Sequence, residues 1–515
     1  MQPSDFLTIL GLGLAIWSFI PQKERNFILL FFSKVEIILF SISLLVILYL
    51  MSYDWLKENW FASLSIFSAE KGVPASIWAY VISLFIIGYP IVKVSFGYFS
   101  GSRLNSLVRL YKSLIKENEI DLLVGYINKY HILDIQKYLI GLSYLPEKEN
   151  MDIILRRRTE SDEGYDKLTK PKRMKFAAWV YGHIIQDETF VNNAAPKYPE
   201  LFVTAFIGME TEKAANQDLV KAYIEVLFES KNQSFIQELK IVNESYSSIQ
   251  SRNENFDLPI LTGLLVNTKA AAKNNVWYPV GEGVVKSLKF DDQQKEFLIR
   301  KYDSQLEPEL WNYKIWIATV YFNYMVRETI YRESGWHMWL FYFRHTIDHL
   351  IEIIPNENDY CPQSEHPSFA HYIIYQQFDI MLGWIELAKD EKTDNQVIDT
   401  IRCLGWCIYS ICQAEERKLS RDFKKRQLNR VVDLYCEYAY FPDNIACTTA
   451  RNWLVRLFHN PKGVDLGTPD ITPEYISLLK EVWGEFDKIP FTAHGNVRIL
   501  TDFETTVLVP LGIGV

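Results

Sequence analysis

The sequence has little of what usually marks an enzyme or a metal protein. It contains six cysteines, none of them in a Cys-x-x-Cys pair, so zinc-ribbon and thioredoxin-like sites have no support. It also lacks the phosphate-binding Gly-x-x-x-x-Gly-Lys-Ser/Thr loop, the Gly-x-Ser-x-Gly turn of serine hydrolases and the His-Glu-x-x-His zinc helix. The sequence therefore favours a non-enzymatic protein, and it predicts no cofactor.

An excess of positive charge is also missing. The chain has 54 Lys and Arg against 63 Asp and Glu, a net charge of −9, so the molecule as a whole does not have the charge of a nucleic-acid-binding protein. Charged residues make up 23% and hydrophobic residues 49% of the chain, which is typical of a folded protein. Aromatic residues are abundant at 15%, and they suit large packed cores or the belts that mark membrane interfaces.

Three uncharged runs lie within the first hundred residues, at 6–20, 37–53 and 73–92. As a helix, the second run would rise roughly 26 Å, close to the thickness of about 30 Å of a bilayer hydrocarbon core. Trp55 and Trp78 lie near the ends of the second and third runs, where interfacial aromatic residues are common. Residues 1–100 are therefore predicted to form a membrane module of two or three transmembrane helices, the short first run being the uncertain span.

The basic residues predict the orientation of this module. The first connection between the runs and the segment after the third run are basic, with Lys23, Arg25 and Lys34 in the former and Lys93, Arg103, Arg109 and Lys112 in the latter. The second connection mixes two lysines with three acidic residues. The positive-inside rule therefore predicts a multi-pass protein of the cell inner membrane, with its N-terminus outside and a large C-terminal body in the cytoplasm.

The rest of the chain has helical periodicity almost throughout. The expected fold is mainly α, an irregular solenoid or bundle divided into a first region at 101–305 and an aromatic-rich second region at 306–515. Strand signals are sparse. The β-branched residues and Pro510 of the segment 496–515 predict at most a short extended piece at the C-terminus.

One segment has the spacing of a metal site. His345 and His349 are four residues apart on a predicted helix, and Asp348 completes a His-x-x-Asp-His pattern that resembles the inverted order of some zinc hydrolases. The sequence shows no third ligand. The alternative is an amphipathic helix whose histidines contact water or hydrogen-bonding partners.

Two basic clusters stand out against the acidic chain, one within 156–175 and one within 417–430. Either could bind anionic lipid headgroups, a nucleotide or a nucleic acid, or could simply be a solvated surface. The residues proposed for this role are Arg156, Arg157, Arg158, Arg417, Lys418, Arg421, Lys424, Lys425, Arg426 and Arg430.

These features favour a membrane-anchored, cytosol-facing helical interaction protein acting as a sensor, a scaffold or a membrane-perturbing effector. Its expected partners are the lipid bilayer and either another protein or further copies of itself. Such an architecture recurs among bacterial signalling and antiviral-defence effectors, although architecture alone does not define function. Two alternatives remain open: a membrane-tethered metal-dependent hydrolase using His345 and His349, and a nucleotide or nucleic-acid sensor using the basic cluster at 417–430.

Overall fold

A computed structural model shows a mostly helical chain that divides into two compact units, Met1–Ala194 and Ala195–Val515. The structure describes residues 8, 11, 15, 17–58, 73–95, 99–100, 103–143, 172–206, 217–247, 258–265, 267–332, 338–355, 365–390, 394–441, 444–462, 471–493 and 496–514. Within these ranges there is no strand, only an isolated bridge between Lys301 and Ser368. The predicted all-α fold is therefore confirmed.

The first unit contains nine helices among its described residues. They are α1 (Gln22–Leu29), α2 (Lys34–Met51), α3 (Tyr53–Glu58), α4 (Ala75–Ser95), α5 (Leu104–Lys116), α6 (Ile120–Tyr130), α7 (Ile132–Ser143), α8 (Lys172–Val180, continued by a π-helical turn Tyr181–Ile185) and α9 (Glu188–Ala194). By their contacts α5–α9 belong with the apolar helices of this unit. Most of the apolar run 6–20 lies outside the described residues.

Helices α2 and α4 form an antiparallel hairpin. Helix α2 begins with a reciprocal cap, in which the hydroxyl of Ser33 accepts from the backbone N–H of Glu36 at 3.2 Å and the Glu36 carboxylate accepts from the N–H of Ser33 at 2.7 Å. At the other end of the hairpin, Ile47 and Leu50 of α2 belong to the same buried cluster as Ala79 of α4. Small residues on α4 allow the two helix axes to approach closely.

An aromatic cluster holds α1 against α5 and α6 within the first unit. The rings of Phe27 and Tyr126 stack with centroids 3.9 Å apart, and those of Phe31 and Phe99 stack at 4.2 Å. His131, which follows α6, is buried, and its Nε2 lies 2.8 Å from the hydroxyl of Tyr111. Burial lowers the pKa of His131 to about 3, so the imidazole is neutral where it shares a hydrogen bond with the tyrosine.

The second unit continues the helical array with sixteen further helices in its described part. They are α10 (Pro199–Phe206), α11 (Gln217–Glu229), α12 (Gln233–Ser247), α13 (Pro259–Leu265), α14 (Thr268–Lys273), α15 (Tyr278–Phe290), α16 (Asp292–Ile299), α17 (Lys314–Tyr331), α18 (Phe341–Ile353), α19 (Phe369–Asp390), α20 (Asp394–Gln413), α21 (Arg421–Ala439), α22 (Ile445–His459), α23 (Pro473–Glu485), α24 (Ile489–Ala493) and α25 (Val497–Phe503). Short 3₁₀ turns occupy Ser304–Asn312 and Met338–Leu340.

Buried polar side chains fix the register of the central helices. The amide of Gln377 on α19 donates to the hydroxyl of Thr319 on α17 at 2.8 Å, and its carbonyl accepts from Thr346 on α18 at 2.9 Å. The indole N–H of Trp384 donates to Asn323 at 2.9 Å. Because an unpaired polar group in an apolar core is costly, these pairs disfavour any slipped packing of the same helices.

The predicted extended piece at the C-terminus is wrong. Helix α25 is followed by a π-helical turn Glu504–Leu508 and a 3₁₀ turn Val509–Leu511. Tertiary contacts outweigh the weak strand preference of β-branched residues here. The ring of Phe503 stacks on Trp483 at 4.6 Å, and the hydroxyl of Tyr435 donates to Asp502 at 2.6 Å.

Candidate functional site

The hairpin of α2 and α4 is the candidate membrane-contacting site. These are the two helices of the described chain that are long and apolar enough to cross a bilayer. They contain 18 and 21 residues, which corresponds to about 27 and 31 Å of rise. Only 11% and 17% of their most apolar stretches are buried, so both helices lie largely at the surface of the described chain.

Large apolar side chains cover the outside of the hairpin. Leu45 is 65% exposed on α2, and Phe85 is 66% exposed on α4. Other exposed side chains on the two helices are Val35, Ile38, Leu39, Ile42, Val46, Leu48, Ile77, Trp78, Tyr80, Val81, Leu84, Ile87, Ile91 and Val92. A continuous apolar surface of this kind marks an interaction with lipid or with another protein.

The charged residues of the hairpin lie at one end of it. Glu36 at the start of α2 pairs with Lys93 near the end of α4 and accepts a hydrogen bond from the hydroxyl of Tyr89. The ammonium group of Lys93 also lies 5.4 Å from the centroid of the Phe32 ring. Close by, Arg103 donates from Nε to the carbonyl oxygen of Phe32 at 3.2 Å. This end carries the polar groups that suit a membrane–water interface.

Within the described ranges, the predicted metal residues do not converge with a third ligand. His349 Nδ1 lies 2.9 Å from a carboxylate oxygen of Glu352, and an oxygen of Asp348 lies 3.9 Å from Nε of Arg344. Burial and the neighbouring Arg344 lower the pKa of His345. In the part of the chain that the structure describes, no group of three or more His, Cys, Asp and Glu side chains could hold a metal ion.

Most of the basic residues in 417–430 are engaged within the second unit. Lys418 Nζ donates to the carbonyl oxygens of Ile351 and Glu352, at 3.1 and 2.9 Å, and so caps the C-terminus of α18. Lys424 is fully buried, and its ammonium group donates to the carbonyl oxygens of Cys412 and Ala414 at the end of α20. These two lysines satisfy carbonyls that a helix end leaves unpaired.

The same basic stretch makes ion pairs with neighbouring helices. Arg421 forms a two-pronged pair with Glu481 of α23, at 2.9 and 2.5 Å, which raises the pKa of Arg421 and lowers that of Glu481. The other contacts are those of Lys424 with Glu474, Lys425 with Glu485, Arg430 with Asp379 and Arg426 with the carbonyl oxygen of Glu365. Arg417 is exposed, and Arg156, Arg157 and Arg158 lie outside the described residues.

Sequence reasoning missed a serine–histidine pair. The hydroxyl of Ser368 lies 2.8 Å from Nδ1 of His371, and Nε2 of His371 lies 3.1 Å from the carbonyl oxygen of Lys418. A carbonyl only accepts, so Nε2 carries the proton and Nδ1 accepts from the serine. Both side chains are buried, and burial lowers the pKa of His371 to about 4. The pair joins α19 to the segment before α21 and is closed to a substrate.

All five cysteines in the described ranges are buried and unbridged. They are Cys403, Cys407, Cys412, Cys436 and Cys447. Burial raises the pKa of Cys412 and of Cys436 to about 12, which keeps both as neutral thiols. They serve as small apolar side chains.

Comparison of the chain with protein-family models, curated proteins and solved structures finds no match.

Proposed function

We propose that the α2–α4 hairpin is the transmembrane anchor of an inner-membrane protein whose helical body faces the cytoplasm and binds a partner without catalysis. The observation that carries this proposal is the apolar outer surface of two paired, membrane-length helices. In water such a surface would be costly at roughly 25 cal/mol per Å² of apolar area. In a bilayer the same surface contacts hydrocarbon.

The internal packing of the hairpin supports a bilayer environment. Its buried contacts are apolar along most of their length, with Ile47 and Leu50 on α2 and Ala75 and Ala79 on α4. Ser83 is buried in α4, and its hydroxyl donates to the carbonyl oxygen of Ala79 at 2.7 Å. A hydroxyl that bonds the preceding turn of its own helix is a common solution in membrane helices, where water is absent.

The distribution of charge supports the orientation. The end of the hairpin that carries Glu36 and Lys93 is also the end at which the chain enters through Lys34 and leaves toward Arg103. The opposite end carries the exposed Trp55. The positive-inside rule assigns the first end to the cytoplasm. With two spans the N-terminus lies in the cytoplasm, and a third span at 6–20 would place it outside.

The helical body supports an interaction role. Its strongest polar groups, such as Lys424 and the Ser368–His371 pair, are buried and engaged with other parts of the second unit. This arrangement fits a rigid scaffold that presents an outer surface to another molecule. Sensing, scaffolding and membrane perturbation are all compatible with such a surface.

The first test asks whether the protein is integral to the membrane. Membranes from expressing bacteria are washed with alkaline carbonate, which removes peripheral proteins, and then with detergent. We expect the protein to remain in the carbonate pellet and to enter the detergent fraction. Recovery in the carbonate supernatant would contradict the anchor.

The second test asks which end faces the cytoplasm. Glu58→Cys and Gln22→Cys place exposed thiols at opposite ends of the hairpin, whereas five native cysteines are buried. A membrane-impermeant maleimide applied to intact spheroplasts should label Glu58→Cys and leave Gln22→Cys unlabelled until the cells are lysed. The wild-type chain is the control for labelling at native cysteines. The reverse pattern would overturn the orientation.

A further inference from the structure

Five residues on three neighbouring helices of the second unit form two groups of arginine–tryptophan contacts. They are Arg344 on α18, Arg402 and Trp406 on α20, and Trp453 and Arg456 on α22, and we call them the arginine–tryptophan ridge. The guanidinium carbon of Arg344 lies 3.6 Å from the centroid of the Trp406 ring, and those of Arg402 and Arg456 lie 5.8 and 4.3 Å from that of Trp453. Arg402 and Trp406 are one helical turn apart, which joins the two groups.

The ridge is at the surface of the unit. Arg456 is exposed, and the side chains of Arg402 and Arg344 are 36% and 30% exposed. Both tryptophans are partly exposed. The contacts therefore hold the guanidinium groups in fixed positions at a solvent-facing surface, where a long arginine would otherwise sample many rotamers.

When one face of a guanidinium group packs on an aromatic ring, its N–H groups still point outward in the guanidinium plane. The edge that they form matches a carboxylate or a phosphate and binds it with two parallel hydrogen bonds. The Nε of Arg344 is buried and closed to a ligand, so only its terminal N–H groups could bind one; the oxygen of Asp348 lies 3.9 Å from that Nε, beyond hydrogen-bond distance. Among the described residues, Arg456 forms no ion pair, whereas Arg402 pairs with Asp399 at 2.7 Å.

The charge of the ridge is opposite to that of the chain. Three arginines face two carboxylates, those of Asp348 and Asp399, and one further cation–aromatic contact joins Lys462 to Tyr409, which lies one turn beyond Trp406. The protein as a whole carries a net charge of −9. A local cationic surface on an acidic molecule attracts anionic groups at short range.

We propose that the arginine–tryptophan ridge binds an acidic peptide segment of a partner protein. The Asp or Glu carboxylates of that segment accept hydrogen bonds from the N–H groups of the three arginines. This rests on the proposed role as an interaction protein and names the chemistry of the partner. A nucleic acid fits less well, since the arginines already occupy faces of Trp406 and Trp453 that bases would need for stacking. Three helices side by side span about 16–20 Å, which an extended peptide covers with about six residues.

The test uses the full-length chain in lipid nanodiscs and fluorescence anisotropy at low salt. The probes are a fluorescein-labelled peptide of alternating Glu and Ser, its counterpart of alternating Gln and Ser, and a labelled single-stranded oligothymidine. The variant Arg344→Gln/Arg402→Gln/Arg456→Gln removes three charges and keeps polar side chains of moderate length. Arg417→Gln removes one exposed charge elsewhere in the same unit and serves as the control.

We expect the Glu peptide to bind the wild type and Arg417→Gln equally, and the Gln peptide to bind neither. The triple variant should bind the Glu peptide at least about tenfold more weakly, because charged hydrogen bonds are removed. Trp406→Leu should weaken binding while leaving the net charge unchanged. Binding that survives in the triple variant, or an oligothymidine that binds through these arginines where the peptide does not, would overturn the proposal. Circular dichroism and thermal unfolding confirm that each variant is folded. A membrane-integral protein that binds no Glu peptide would refute the ridge and leave the anchor intact.

Discussion

Lys93 and Glu36 face each other across the two apolar helices of the hairpin, and their side chains are only 13% and 23% exposed. The pair lies beside the hydroxyl of Tyr89 and the ring of Phe32. Helix register in a hairpin of otherwise apolar contacts is weakly defined, because leucine and isoleucine pack in several ways. A polar pair at one end selects a single register.

We expect Lys93→Met to destabilise the hairpin by about 1–3 kcal/mol, because Glu36 then loses its charged partner in a partly buried site. Thermal unfolding in detergent measures the change. The double variant Glu36→Gln/Lys93→Met should recover part of the loss, since it leaves no unpaired carboxylate. Lys34→Met, at an exposed lysine beside Ser33, is the control and should change the midpoint little. Equal effects of Lys93→Met and Lys34→Met would show that the pair contributes nothing.

A second prediction separates a bilayer from water as the solvent of the hairpin. Leu45 and Phe85 are about two-thirds exposed near the centres of α2 and α4. In a bilayer each lysine introduced there costs about 2.5–3.5 kcal/mol, whereas on a water-facing surface each costs within about 0.5 kcal/mol.

Leu45→Lys/Phe85→Lys should therefore move protein from the carbonate pellet to the supernatant or to degradation, as followed by immunoblot. Trp55→Lys, which places a lysine at the end of the hairpin, should leave the protein in the pellet. A double variant that remains in the pellet as fully as the wild type would argue against lipid contact.

Neighbouring lysines on α21 provide a third prediction. Lys424 is buried and donates to Cys412, Ala414 and Glu474, whereas Lys425 pairs with Glu485, whose side chain is 64% exposed. We expect Lys424→Met to lower the free energy of unfolding by about 3 kcal/mol, because buried charge-assisted hydrogen bonds are lost. Lys425→Met should cost at most about 1 kcal/mol.

Denaturant unfolding of the two variants gives the comparison directly. Each variant removes one positive charge from the same helix, so electrostatic effects on the whole molecule are matched. Similar losses for both would mean that the buried carbonyl contacts of Lys424 add little to stability.

The fourth prediction concerns pH. The pKa of buried His131 is about 3 in the folded protein, below the value of 6.5 expected when it is exposed. The unfolded chain therefore takes up a proton between these values and the folded chain does not. This contribution to stability is complete above pH 6.5. Below pH 6.5 it falls by about 1.4 kcal/mol for each pH unit, so that about 2 kcal/mol of stability has been lost at pH 5.

His131→Gln keeps a side chain that can hydrogen-bond to Tyr111 and removes the titration. The drop in melting temperature from pH 7 to pH 5 should be smaller in this variant than in the wild type. His371, which burial also keeps neutral, is present in both proteins and cancels in the comparison. Identical drops would show that His131 is protonated without loss of the fold.

The two apolar helices could be read directly from the sequence, because length and uncharged composition are local properties. The runs 37–53 and 73–92 coincide with α2 and α4 within a few residues.

The environment of the basic cluster at 417–430 could not be predicted in the same way. Its charge is visible in the sequence, yet whether a lysine meets solvent or the carbonyls of Cys412 and Ala414 depends on residues ten or more positions away.

By itself, the sequence determined that this chain is helical and that its first hundred residues hold membrane-length apolar helices, since periodicity, caps and hydropathy act over one or two turns. Only the tertiary structure decided that the C-terminal segment is helical, that Lys424 is a buried cap, and that Arg344 stacks on Trp406. Each of these depends on which distant side chain fills the neighbouring space, and packing between helices sets that choice.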